Sequence, residues 1–102
     1  MSTTDRTGAP TQVSDQGDRF TISADGRIVG IADFIDRDGR RLFPHTEVSP
    51  QFQGRGLATI LVRAALEATR PTGLRVVPHC WMVAEFIDKN PEFADLLDRS
   101  SG

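Results

Sequence analysis

One cysteine, Cys80, stands in the 102 residues, so an intramolecular disulfide is impossible. A small chain without such staples fits a reducing compartment, and the expected setting is cytoplasmic. There is no excess of charge of either sign: 12 Lys and Arg face 14 Asp and Glu, for a formal net charge of −2. That balance, with no basic stripe, argues against a nucleic-acid partner. No apolar run approaches the roughly 20 residues that a membrane-crossing helix needs. The polar stretch Met1 to Gly17 lacks the apolar centre of a secretory leader. Histidine is also scarce. His45 and His79, even with Cys80, show no ligand spacing, and no metal is expected.

What is present is an ordinary globular mixture, 38% hydrophobic and 25% charged, of one-domain length. Residues 1–17 hold few apolar side chains beyond Ala9 and Val13 and read as a loose tail, as do residues 99–102. The domain is expected over residues 18–98. Its first part alternates like strands: Arg19 to Ser23, then Arg27 to Asp36, then Arg41 to Ser49. Asp25-Gly26 and Asp38-Gly39 supply tight turns between them. The middle strand is apolar on both faces, which predicts cover on both sides. Pro44 cannot donate to a ladder and predicts a strand start or a bulge.

From Gly54 to Arg70 the period becomes helical, with Leu57, Ile60, Leu61, Ala64, Ala65 and Ala68 on one stripe. Val62 and Leu66 lie off it and predict a second contact layer. Pro71-Thr72-Gly73 stops this helix. Leu74 to Val77 follows as a short strand, parallel to the third one through a right-handed crossover. Cys80 to Asp88 reads as a helix, and Pro91 opens a last helical segment. The fold class is α+β: an antiparallel meander, one βαβ unit and C-terminal helices.

The most informative stretch is Val48-Ser49-Pro50-Gln51-Phe52-Gln53-Gly54-Arg55-Gly56-Leu57-Ala58, which joins a strand to the longest helix. Glycines two apart at a helix start let a ligand approach the backbone. The unpaired first N–H groups and the helix dipole then form an anion site suited to a pyrophosphate. The stretch is not a P-loop, since no Gly-Lys-Ser/Thr follows. It is not the dinucleotide fingerprint either, because the third glycine is missing.

Gln51-Phe52-Gln53-Gly54-Arg55-Gly56 resembles the Q/R-x-x-G-x-G/A motif of the GNAT acetyltransferase superfamily. Together with His45-Thr46-Glu47-Val48, Val77-Pro78-His79-Cys80-Trp81 and Asn90-Pro91-Glu92-Phe93, it is similar to the small single-domain GNAT-like proteins of the YjdJ type. The resemblance covers about residues 18–98. It implies a sheet that splays open between the strand near Val48 and the strand at Leu74–Val77, with the pantetheine arm of acetyl-CoA in the split. It implies a pyrophosphate on the amides of residues 53–58. Val48, Gln53, Gly54, Arg55, Gly56, Leu57 and Ala58 are therefore the expected cofactor-binding residues.

The resemblance also implies transfer of acetyl from acetyl-CoA to an amine acceptor that these residues do not identify. Cys80 is either a buried filler or, at a helix start where the dipole favours a thiolate, a nucleophile near the acyl sulfur. His45 is either a solvated polar residue or a general base, paired with Cys80 across the split. Glu47 is a second candidate base, because relatives place a carboxylate on this strand. By period two, His45 and Glu47 are expected to share a face with Phe43. His79 reads as surface, and Trp81 and Phe86 as cover for the core. Arg63 and Lys89 are candidates for a cofactor phosphate. Many relatives protonate the leaving thiolate with a tyrosine, and this chain has none. Two alternatives therefore stand beside N-acetyl transfer: a CoA-binding module without turnover, and slow acetyl-CoA hydrolysis.

Overall fold

Six strands lie side by side in chain order in the computed structural model, which describes residues 3–4, 8 and 10–98. They are β1 (Thr3–Thr4), β2 (Pro10–Asp15), β3 (Arg19–Ala24), β4 (Arg27–Arg37), β5 (Arg40–Val48) and β6 (Arg75–Val77). The first four pairings are antiparallel and β5–β6 is parallel. The two Asp-Gly pairs make the hairpin turns the sequence predicts. Asp25 and Gly26 have φ of 53° and 79°, and Asp38 and Gly39 have 54° and 77°. Two successive positive φ values are the type I′ geometry, whose twist suits a two-residue hairpin.

The expected loose tail contains a strand. β2 pairs with β3 from Thr11↔Ala24 to Asp15↔Phe20, with Thr11 buried and Val13 packed on the core. Thr11 and Val13 are the inward positions of an alternating pattern whose inward set is only two residues long. Main-chain bonds to β3 carry the rest, and these are indifferent to hydropathy. The remainder of the predicted tails, residues 1, 2, 5–7, 9 and 99–102, lies outside the described residues. A second difference concerns β4. The helices cover one face of the sheet, and Ile28 and Ile35 on β4 are exposed.

Pro44 sits in a bulge. Ile35 pairs with Leu42 and Asp33 with His45, so Phe34 alone faces both Phe43 and Pro44. The extra residue resets the alternation. Phe43 is buried, and so are Thr46 and Val48, while Pro44, His45 and Glu47 are exposed. His45 and Glu47 therefore do not share a face with Phe43, as strict period two had predicted.

β6 pairs only with the start of β5, through Arg40↔Arg75, Arg41↔Val76 and Leu42↔Val77. The Cys80 N–H then donates to the Phe43 carbonyl (2.8 Å), and the chain turns away. Beyond that point β5 runs on to Val48 with β4 as its only partner strand among the described residues. The split that the resemblance implies is thus present. Its edge has a definite polarity. The Ser49 N–H donates to the Val29 carbonyl (2.7 Å), so in this register the odd-numbered residues from His45 to Ser49 exchange bonds with β4. Antiparallel alternation then turns the N–H and C=O of Thr46 and Val48 toward the split.

Helix α1 (Leu57–Thr69) packs on β3, β4 and β5, and α2 (Trp81–Lys89) packs on α1 and β5. The buried face of α1 is Leu57, Leu61, Val62, Ala65, Leu66 and Thr69. It is rotated from the predicted stripe toward Val62 and Leu66, leaving Ala68 exposed, because long side chains decide which face an alanine-rich helix buries. Pro91–Leu96 forms a 3-10 segment that seats Phe93 and Leu96 in the core. The core also holds a guanidinium. Arg41 grips Asp36 with two bonds (2.7 and 2.9 Å), donates to Thr69 Oγ1 (3.2 Å) and lies 4.2 Å from the Phe34 ring centre.

Candidate functional site

The glycine loop leaves the end of β5 through a 3-10 turn, Pro50–Phe52. Gly54 (φ 82°) and Gly56 (φ 79°) both adopt left-handed backbone, which other residues enter only at a cost. Gly56 is the N-cap of α1. It offers no side-chain cap, and the first turn holds no acidic residue. The first bond inside the helix runs from the Ile60 N–H to the Gly56 carbonyl (3.2 Å). The N–H groups of Leu57, Ala58 and Thr59 therefore lack an acceptor within the helix. A bare N-terminus of this kind stabilises an anion through these donors and the helix dipole.

A cleft of 610 Å³ opens directly over these groups. One wall is Gln53, Gly54, Gly56, Leu57, Ala58 and Thr59. The other is α2, through Trp81, Met82, Glu85, Phe86, Lys89 and Asn90. Val48, Phe52 and Val62 complete the lining. The cleft thus combines an apolar interior with an electropositive rim on the loop side. Lys89 bonds Glu85 (2.8 Å), and the neighbouring carboxylate raises the ammonium's pKa.

Of the seven residues expected to bind a cofactor, the cleft brings together Val48, Gln53, Gly54, Gly56, Leu57 and Ala58. Gln53 also ties the loop to the strand, its Nε2 donating to the Val48 carbonyl (3.4 Å). Arg55 is not part of the lining. Its guanidinium lies 4.8 Å from the Phe52 ring centre and 3.9 Å from Asp25 Oδ2, which turns it toward the β3–β4 hairpin. Arg63 is likewise engaged elsewhere, over Phe86 and Phe93 and bonded to Asn90.

The three catalytic candidates do not line this cleft. Cys80 is buried at the N-cap of α2 and its thiol caps nothing, while its neighbours Trp81 and Met82 face the cleft. His45 and Glu47 meet each other instead: Nε2 of His45 is 3.0 Å from Oε1 of Glu47, with both side chains more than half exposed. No hydrogen bond joins His45 to Cys80 among the described residues, because the bulge turns His45 outward. With Nε2–H donating to Glu47, the Nδ1 lone pair of His45 is free to accept a proton. His79 is exposed, as expected for a surface residue.

Trp81 had been expected over the core and is 66% exposed at the cleft mouth. Thr59, Met82, Glu85 and Asn90 had not been singled out as site residues. Met82, Glu85, Phe86 and Lys89 follow helical spacing, and a stripe mixing apolar and charged residues is the mark of a half-wet wall. Thr46 is another residue that the sequence does not mark. It is 4% exposed, and its hydroxyl has no hydrogen-bond partner among the described residues. Among the described residues, no group of three or more His, Cys, Asp or Glu gathers as metal ligands. No helix there is long and apolar enough to cross a membrane.

Comparison with known proteins bears on the family and the fold. The sequence profile of the GCN5-related N-acetyl-transferase family matches residues 19–96. The protein NATD1 of Bos taurus is 33% identical over 91 residues, covering 82% of this chain and 78% of its own. NATD1 of Gallus gallus is 32% identical over 91 residues, covering 82% of this chain and 80% of its own. In structure, the chain is similar to a GCN5-like putative N-acetyltransferase from Staphylococcus aureus solved by NMR. The TM-score is 0.66 at 19% identity, over 88% of this chain and 93% of that one.

Proposed function

Because the chain belongs to the GCN5-related N-acetyltransferase family, we propose that it binds acetyl-CoA in the cleft and transfers the acetyl group to an amine. The observation that carries this reading is the bare N-terminus of α1 facing a cleft that continues along an unpaired strand edge. The N–H groups of Leu57, Ala58 and Thr59 would hold the pyrophosphate. Thr46 and Val48 would bond the amides of the pantetheine arm as a neighbouring strand would. The thioester carbonyl would supply the electrophile. His45, oriented by Glu47, would take the proton from the attacking amine through Nδ1. With no tyrosine in the chain, Cys80 or water would protonate the departing thiolate. The compact, single-domain YjdJ type is the subgroup that fits, and the free thiol of Cys80 suits a cytoplasmic setting.

A second reading is a CoA-binding module without turnover. It is favoured by one observation: Cys80, His45 and Glu47 all lie outside the cleft lining.

Release of free CoA thiol, followed with acetyl-CoA and a panel of amines, distinguishes them. Amine-dependent release is expected. His45→Ala and Glu47→Gln should slow it about 10²-fold or more, the usual scale of a lost general base, with acetyl-CoA affinity kept. Cys80→Ala should slow release if the thiol protonates the leaving thiolate, and stay within a few-fold of the wild type if water does. Binding with no release under any amine would establish the module instead. An acetylated protein by mass spectrometry, lost in Cys80→Ala, would establish a cysteine-linked route.

A further inference from the structure

We infer that the hydroxyl of Thr46 is a ligand-binding group, donating a hydrogen bond to a carbonyl oxygen of the acyl-pantetheine arm. This rests on the acetyl-CoA reading and extends it to a side chain. Thr46 is 4% exposed on β5, and its Oγ1 has no hydrogen-bond partner among the described residues. Another buried threonine behaves differently: Thr69 donates to the Ala65 carbonyl (2.8 Å) and accepts from Arg41. A buried hydroxyl without a partner is destabilising relative to the isosteric valine. The fold therefore gains nothing from oxygen at position 46.

Position supplies the reason for it. From His45 to Val48 the strand is regular, so Thr46 shares a face with Val48, and Val48 lines the cleft. The two lie about 7 Å apart along the strand. The loop expected to hold the pyrophosphate begins just after Val48, so Thr46 stands further along the split. It is level with the arm and not with the nucleotide. Its N–H and C=O already turn toward that split, and the hydroxyl adds a third polar group at the same residue. Oγ1 is covered and Thr46 lies outside the cleft lining, so rotation about χ1 is the step that brings the hydroxyl to a carbonyl oxygen of the arm, where valine has nothing to donate.

Titration calorimetry with two probes tests this. Acetyl-CoA has the arm, and adenosine 3′,5′-bisphosphate has the nucleotide anions without it. Thr46→Val should bind acetyl-CoA about three- to tenfold more weakly, the scale of one hydrogen bond. It should bind the bisphosphate as the wild type does and melt at the same temperature or higher. Thr46→Ser should retain the wild-type affinity for acetyl-CoA. Unchanged acetyl-CoA affinity in Thr46→Val would overturn the assignment while leaving the cleft reading intact. So would equal losses for both probes, or a Thr46→Val protein that melts far lower, since the oxygen would then have a structural partner. A wild-type protein that binds neither probe would overturn the cleft reading, and this assignment with it.

Discussion

Ala58→Asp is expected to lower acetyl-CoA affinity by at least tenfold without lowering the melting temperature. Ala58 occupies the first turn of α1 and lines the cleft. A carboxylate there interacts favourably with the helix dipole and the unpaired N–H groups, worth about 0.3–1 kcal/mol to the helix. The same carboxylate occupies the anion site and repels a pyrophosphate. Stability and binding should therefore move in opposite directions, which no general damage to the fold can imitate. Calorimetry and thermal melting of the same sample read both. A substitution at Gly56 would be less clean, because its φ of 79° strains most other residues whatever ligand is present. An Ala58→Asp protein that binds acetyl-CoA normally would move the phosphate site away from the helix.

The second large effect concerns stability. Arg41→Ala should cost about 3 kcal/mol in urea unfolding, the scale of truncating a large, well-packed buried side chain. Arg41 is 6% exposed and fills space between the Phe34 ring, Thr69 and Asp36. Its loss leaves a cavity beside Phe34 and Thr69 and removes the ion pair to Asp36. The pair also sets an acid dependence. Hydrogen bonding from Arg41 holds the Asp36 carboxyl below its ordinary value of 3.8 in the folded protein. A lowered folded value means the pair contributes fully above about pH 4 and less as the pH falls through that lower value. Asp36 is 41% exposed, so solvent screening keeps this part below about 1 kcal/mol. Wild-type stability should thus fall faster than that of Arg41→Ala as the pH is lowered from 4.5 to 3, checked by urea midpoints at each pH.

Much of this was legible from residue order. The Asp-Gly turns announced two hairpins because few other pairs tolerate two positive φ values. The glycine loop marked the helix start, and six of the seven residues expected at the ligand site line one cleft. What escaped did so for identifiable reasons. β2 has only Thr11 and Val13 as inward residues, too few to register as a strand, and its pairing is a main-chain matter. The reach of His45 depended on Pro44. A proline forecasts a bulge, but which face the following residues take depends on where the extra residue is inserted. On α2, Phe86 lies in the core as expected, whereas Trp81, expected there as a large aromatic, stands open at the cleft mouth. Only the packing of α2 against α1 shows which side of the helix stays open. The buried hydroxyl of Thr46 had no sequence signal, since threonine is an ordinary strand residue.

Amide chemical-shift mapping on titration with acetyl-CoA tests whether the cofactor binds between the glycine loop and α2, along the open edge of β5. The largest shifts are expected at Gly54, Gly56, Leu57, Ala58 and Thr59, at Thr46 and Val48, and at the indole N–H of Trp81. Shifts confined to the opposite sheet face around Ile31, Ile35 and Leu42, or no shifts at millimolar acetyl-CoA, would contradict that placement.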